Sequence, residues 1–90
     1  MSTPDLDAAD ALVVLTQIKM FHPPQDDSDA VCAAWAVALN YAGVTNIPDA
    51  VESVTRHYTT PGTNPFITPG DVVSNYRAIR DARCQGLDFE

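Results

Sequence analysis

Between Ala30 and Ala42 the chain reads Ala-Val-Cys-Ala-Ala-Trp-Ala-Val-Ala-Leu-Asn-Tyr-Ala, and Asn40 is its only polar residue. Alanine is the best helix former, and the run is too long for a buried strand, so a helix is expected. A helix with one apolar stripe lies on a surface, whereas one that is apolar nearly all round must be enclosed by other elements. This predicts a small bundle with the Trp-bearing helix at its centre. Val31, Trp35, Ala38, Leu39 and Ala42 recur at helical spacing and mark its most deeply packed side, while Ala33, Ala34 and Ala36 leave room for close neighbours. Ser28 or Asp27 can cap its start, Asp29 suits the positive end of the helix dipole, and Gly43 is placed to end it in a left-handed conformation.

The flanking segments supply the enclosing helices. A first helix is predicted over about residues 6–20, capped by Thr3 or Asp5, with Asp5, Asp7 and Asp10 in or near its first turns and Lys19 near its end. Ala8, Ala11, Leu12, Leu15 and Ile18 form its expected inward face, widened by Val13, Val14 and Phe21; Pro23 and Pro24 stop it. Pro48 opens a third helix over about 48–58, in which Ala50, Val51, Val54 and Tyr58 share helical spacing. Thr59 to Ile67 holds two prolines and a glycine and is the longest loop, with Phe66 and Ile67 expected to tuck back into the core. Thr68-Pro69-Gly70-Asp71 combines a cap, a proline at the first helical position and a near capping box, so a fourth helix follows over about 69–84, ended by Gly86. The fold class is therefore all-α: a compact bundle of four helices (about 6–20, 29–42, 48–58 and 69–84) in one domain spanning 1–90, with loose ends at about 1–4 and 86–90.

Twelve acids against five bases give a net charge of -7, unfavourable for nonspecific attraction to a polyanion. Residues 1–50 carry seven acids and one lysine, while residues 51–90 carry five acids and four arginines, so any basic surface must come from the second half. No apolar run approaches the ~18 residues of a membrane span, and the N-terminus lacks a signal-peptide pattern. A soluble, cytoplasmic protein is the expectation.

Enzyme constellations are missing. His22 precedes two prolines and His57 sits near a helix end, neither beside a nucleophile motif. Asp26, Asp27 and Asp29 lack the glycine and distal glutamate of an EF-hand and read as a solvated capping turn. Cys32 and Cys84 lack metal-site spacing, and Gly62 and Gly70 are too isolated to cradle a phosphate. No catalysis, metal or cofactor is expected, and Trp35 reads as core. What remains is Arg77, Arg80 and Arg83, joined by Arg56 and His57. They either form one positive partner-binding surface for acidic protein groups or phosphates, or satisfy acids and helix-terminal carbonyls of their own chain. At 100° per residue, Val72, Tyr76 and Ile79 face inward and Arg83 lies in line with them, so Arg83 must stretch past the end of the core.

Taken in order, three groups of residues resemble the small phage proteins that load or inhibit a replicative helicase. They are Ala33-Ala34-Trp35-Ala36-Val37-Ala38-Leu39; Asp49-Ala50-Val51 with Arg56-His57-Tyr58; and Ile67-Thr68-Pro69-Gly70-Asp71-Val72 with Tyr76-Arg77-Ala78-Ile79-Arg80. The likeness spans about residues 8–83. It implies the helical N-terminal domain of a noncatalytic DNA-replication accessory protein that binds a hexameric DnaB-type helicase and either hands it to a replication initiator or holds it inactive. Members of that family typically continue into a flexible C-terminal segment implicated in partner contact, whereas this sequence stops at Glu90. Either the sequence is a fragment or the contact surface lies on the bundle, which puts Arg56, Arg77, Arg80 and Arg83 forward. Two other readings rest on charge. A small acidic regulator would block a basic, nucleic-acid-binding surface of a host protein. Direct DNA binding through the fourth helix would be weak and salt-sensitive.

Overall fold

Each helix begins where a short polar side chain takes up free backbone N–H groups of the first turn. In the computed structural model, which describes residues 6–88 and side chains through residue 84, these starts define α1 (Ala8–Phe21), α2 (Asp29–Tyr41), α3 (Ile47–Thr59) and α4 (Pro69–Asp88). Asp7 and Asp10 cap α1 reciprocally: the Asp10 N–H donates to Asp7 Oδ1 and the Asp7 N–H to Asp10 Oδ2, each at 3.0 Å. This cap starts α1 two residues later than its spacing suggested; the alternative caps Thr3 and Asp5 and the expected loose start at 1–4 lie outside the described residues. Ser28 caps α2, Asn46 caps α3 with Pro48 in the first turn, and Thr68 pairs with Asp71 at the start of α4.

Gly43 ends α2 as its position predicts. Its φ of 82° lies in the left-handed region, and the chain closes with Gly43 N–H donating to Asn40 O and Val44 N–H to Leu39 O, both at 3.0 Å. Gly86 does not end α4, which continues to Asp88, so residues 86–88 of the expected tail are helical. A glycine weakens a helix by about 1 kcal/mol but stops it only where the chain turns left-handed.

The helices follow one another in space as α2, α1, α3, α4. α1 packs along both α2 and α3, α4 packs along α3, and α2 meets α4 only sparingly. The architecture is the expected all-α bundle of four helices, with no strand among the described residues. The central place expected for α2 falls instead to α1 and α3, which have helices on two sides.

Leu15, Ile18, Leu39, Val14, Val44, Val54 and Val72 are fully enclosed, and Trp35 is buried with them. Three faces are rotated from their expected phase: on α3 the inward set is Asp49, Ala50, Ser53, Val54 and His57, with Val51 and Tyr58 half-buried. On α1 the inward set is Ala11, Val14, Leu15 and Ile18, leaving Leu12 41% exposed; on α2 it is Cys32, Trp35, Ala36 and Leu39. Both α1 and α2 are apolar almost all round, so spacing alone does not select which stripe turns inward. Of the two loop residues expected to return to the core, only Ile67 does; Phe66 meets the His22 ring edge-on at 4.8 Å.

Asn40 has a structural role. Its Oδ1 accepts from the Leu6 N–H and its Nδ2 donates to the Leu6 carbonyl, both at 2.8 Å, clamping the segment before α1 onto α2.

The two thiols differ in setting. Cys84 is exposed, whereas Cys32 is buried, donates its S–H to the Asp27 carbonyl at 3.4 Å, and has its pKa raised by burial and then by the charges of Asp27, Asp29 and Asp26. A disulfide-exchange reagent is therefore expected to titrate one thiol rapidly in the native protein and the second only on unfolding. Replacing Cys84 with serine should remove the fast phase; a fast phase that survives would show that Cys32 is accessible.

Candidate interaction groove

The residues expected to form one basic surface are divided among four settings. Arg83 donates from Nη1 to Asp49 Oδ2 at 2.9 Å, and Arg80 Nη1 lies 3.5 Å from the same oxygen. The hydrogen bond to Asp49, followed by its charge, raises the Arg83 pKa above the ordinary value. Arg80 also rests over the Tyr76 ring, 5.4 Å from its centroid. Burial pushes the Tyr76 phenol up, but the N–H groups of Thr45 and Asn46 that donate to its oxygen, with the Arg80 charge, outweigh this and hold it below its usual value. The half-exposed Arg83 thus engages a carboxylate that is buried in the first turn of α3.

Arg56 donates from Nε to Asn75 Oδ1 at 3.0 Å. At 100° per residue, Asn75 and Arg77 lie roughly 160° apart around α4, so Arg56 and Arg77 do not share a face. His57 is buried, which removes it from the expected partner-binding set. Its Nε2 lies 2.7 Å from the Asn64 carbonyl, beside a bond from Thr63 Oγ1 to the His57 carbonyl and one from Tyr58 OH to the Pro65 carbonyl. These bonds hold the long loop against the end of α3. Burial and then Asp71 raise the Tyr58 pKa, and its ring stacks on Phe21 at 5.1 Å. The acids before α2 also act locally: Asp26 Oδ1 accepts from the Ser28 N–H at 2.8 Å, and Asp27 pairs with Lys19 at 3.4 Å.

Arg77 alone of the set makes no ion pair or side-chain hydrogen bond among the described residues, and it borders an open, mainly apolar groove. Because α2 and α4 meet so sparingly, a groove of about 670 Å³ separates them. Ala34, Val37, Ala38 and Tyr41 of α2, with Ala42 just beyond it, form one wall, Val37 and Tyr41 lying on the side of the helix away from Trp35; Pro69, Gly70, Val73, Ser74 and Arg77 of α4 form the other. Val37 is 68% exposed and Tyr41 94% exposed. The lining carries one cation and no anion on a chain whose net charge is -7.

Val37 and Tyr41 were not among the candidates drawn from sequence. Their i, i+4 spacing opposite Trp35 and Leu39 was legible, but an all-round apolar helix implied a buried one. Asp49, the anchor for two arginines, had no signal, since 34 residues separate it from Arg83.

The groove is lined mainly by apolar side chains, with Tyr41, Ser74 and Arg77 as its polar groups. Among the described residues, no group of three or more His, Cys, Asp or Glu side chains is placed to hold a metal ion, and no helix is long and apolar enough to cross a membrane. Comparison with protein families, with curated proteins and with solved structures found no match.

Proposed function

We propose that the chain is a noncatalytic protein-interaction module of DNA replication that binds a DnaB-type replicative helicase and loads or inhibits it, using the α2–α4 groove. The observation that supports an interaction role is the uncovered apolar wall of α2 facing α4, with Val37 and Tyr41 in solvent and Arg77 unpaired beside them. Exposed apolar surface rimmed by polar groups is characteristic of a contact site. The choice of helicase rests on the sequence resemblance alone. Arg56, Arg80 and Arg83 are secondary to this surface because each is already engaged within the chain.

The test is a calorimetric titration into purified DnaB-type helicase, with size-exclusion chromatography to read stoichiometry. Binding is expected to weaken about tenfold or more with Arg77→Glu or Val37→Glu, both solvent-facing changes that leave the helical signal intact, and to change little with Arg56→Glu. No detectable binding by the folded chain would sink the helicase reading.

A further inference from the structure

We infer that the α2–α4 groove receives an amphipathic helix of a partner protein, and that this helix carries a carboxylate that meets Arg77. The inference rests on reading the groove as a protein contact surface and adds the chemistry of its occupant. Charge complementarity gives the sign: Arg77 is the one charged group in the lining, and it has no acidic partner among the described residues. An occupant with a lysine at that point would meet a cation, whereas one with a glutamate or aspartate forms a charge-assisted hydrogen bond.

The walls give the shape. The groove is walled by residues of two helices, and a recurring occupant of an apolar groove is an amphipathic helix with anchors at i, i+3 or i+4, and i+7. From Ala34 to Ala42 the α2 wall runs about 12 Å at 1.5 Å per residue, enough for two to three turns of occupant. Residue types favour a protein over a small molecule. Tyr41 and Arg77 belong to the side chains that most often dominate the binding energy of protein interfaces.

The polarity of docking also follows. The Tyr76 hydroxyl accepts from Thr45 and Asn46 just beyond α2, which places the middle of α4, and Arg77 with it, at the C-terminal end of the α2 wall. The carboxylate therefore belongs at that end of the occupant, with its apolar anchors running back over Val37 and Val73.

The experiment uses three synthetic helical peptides of equal length and identical apolar stripe, differing only in Glu, Gln or Lys at one end of the stripe. Each is titrated into the full 90-residue chain, with affinity read by fluorescence anisotropy and position by amide chemical shifts. The Glu peptide is expected to bind about fivefold tighter than the Lys peptide at low salt, as one exposed ion pair allows. Shifts should centre on Val37, Tyr41 and Val73, and Arg77→Glu should invert the order. Equal affinities, an order that Arg77→Glu leaves unchanged, shifts centred elsewhere, or no binding by any peptide would overturn the inference. The helicase titration reads separately: helicase binding insensitive to Arg77→Glu and Val37→Glu defeats the groove as contact surface, here and in the proposed function, and leaves helicase binding itself standing. The predicted peptide order without helicase binding supports the groove inference and defeats only the choice of helicase.

Discussion

Leu15→Ala is expected to remove about 3 kcal/mol of stability, the largest loss of any single truncation considered. Leu15 is fully enclosed on α1, the helix with packed neighbours on two sides, so the surroundings cannot close over the space left behind. Buried leucine truncations cost about 2–5 kcal/mol through lost transfer energy plus the residual cavity. A chain of this length has a total stability of roughly 5–13 kcal/mol at ~0.05–0.15 kcal/mol per residue, so one truncation consumes a large share. Leu12→Ala is the internal comparison: Leu12 is 41% exposed, and its loss should stay below about 1 kcal/mol. Denaturant unfolding followed by far-UV circular dichroism measures both, with an unchanged denaturant slope confirming the same native fold. Equal losses at the two positions would mean that the phase of α1 is wrong.

The second large effect is expected at Asn40. Its carboxamide satisfies both backbone groups of Leu6, a residue 9% exposed, so Asn40→Leu leaves a donor and an acceptor unpaired where water has little access. Each orphaned group costs about 1–3 kcal/mol when fully buried; with Asn40 itself half-buried, a combined loss of about 2 kcal/mol is expected. Leu6→Ala should lose most of its own effect in the Asn40→Leu background, because the clamp is what holds Leu6 in the core. A coupling of about 1 kcal/mol in the double-mutant cycle checks this, and strict additivity would contradict the clamp.

What was legible in the sequence was local. The Ser28 cap, the Thr68–Asp71 start and the left-handed Gly43 depend on residues within one or two turns, and they stand where spacing put them. The phase of α3 was legible only in part: Ala50 and Val54 are fully buried as their spacing suggested, but Asp49, Ser53 and His57 complete the inward face while Val51 and Tyr58 are half-buried. α1 and α2 concealed their phase because they are apolar all round. The Arg83–Asp49 pair depends on two helices meeting far apart in sequence, and composition carries no trace of that meeting. The groove was hidden for another reason: it exists because one helix lacks a neighbour, and a residue pattern reports what a helix can pack against, not whether anything does.

The spatial order of the helices also bears on how the chain reaches its fold. α1 with α2, and α3 with α4, are partners adjacent in sequence, joined by seven and nine residues, so each helical hairpin closes without a long-range chain contact. The seam between α1 and α3 does most to unite the halves, and the larger share of helix packing is between sequence neighbours, a pattern that favours fast folding. Cooperativity between the hairpins is concentrated in that seam, while the α2–α4 side adds little to it. An occupant seated there would close the circuit of helices and bind the two hairpins together along a second edge.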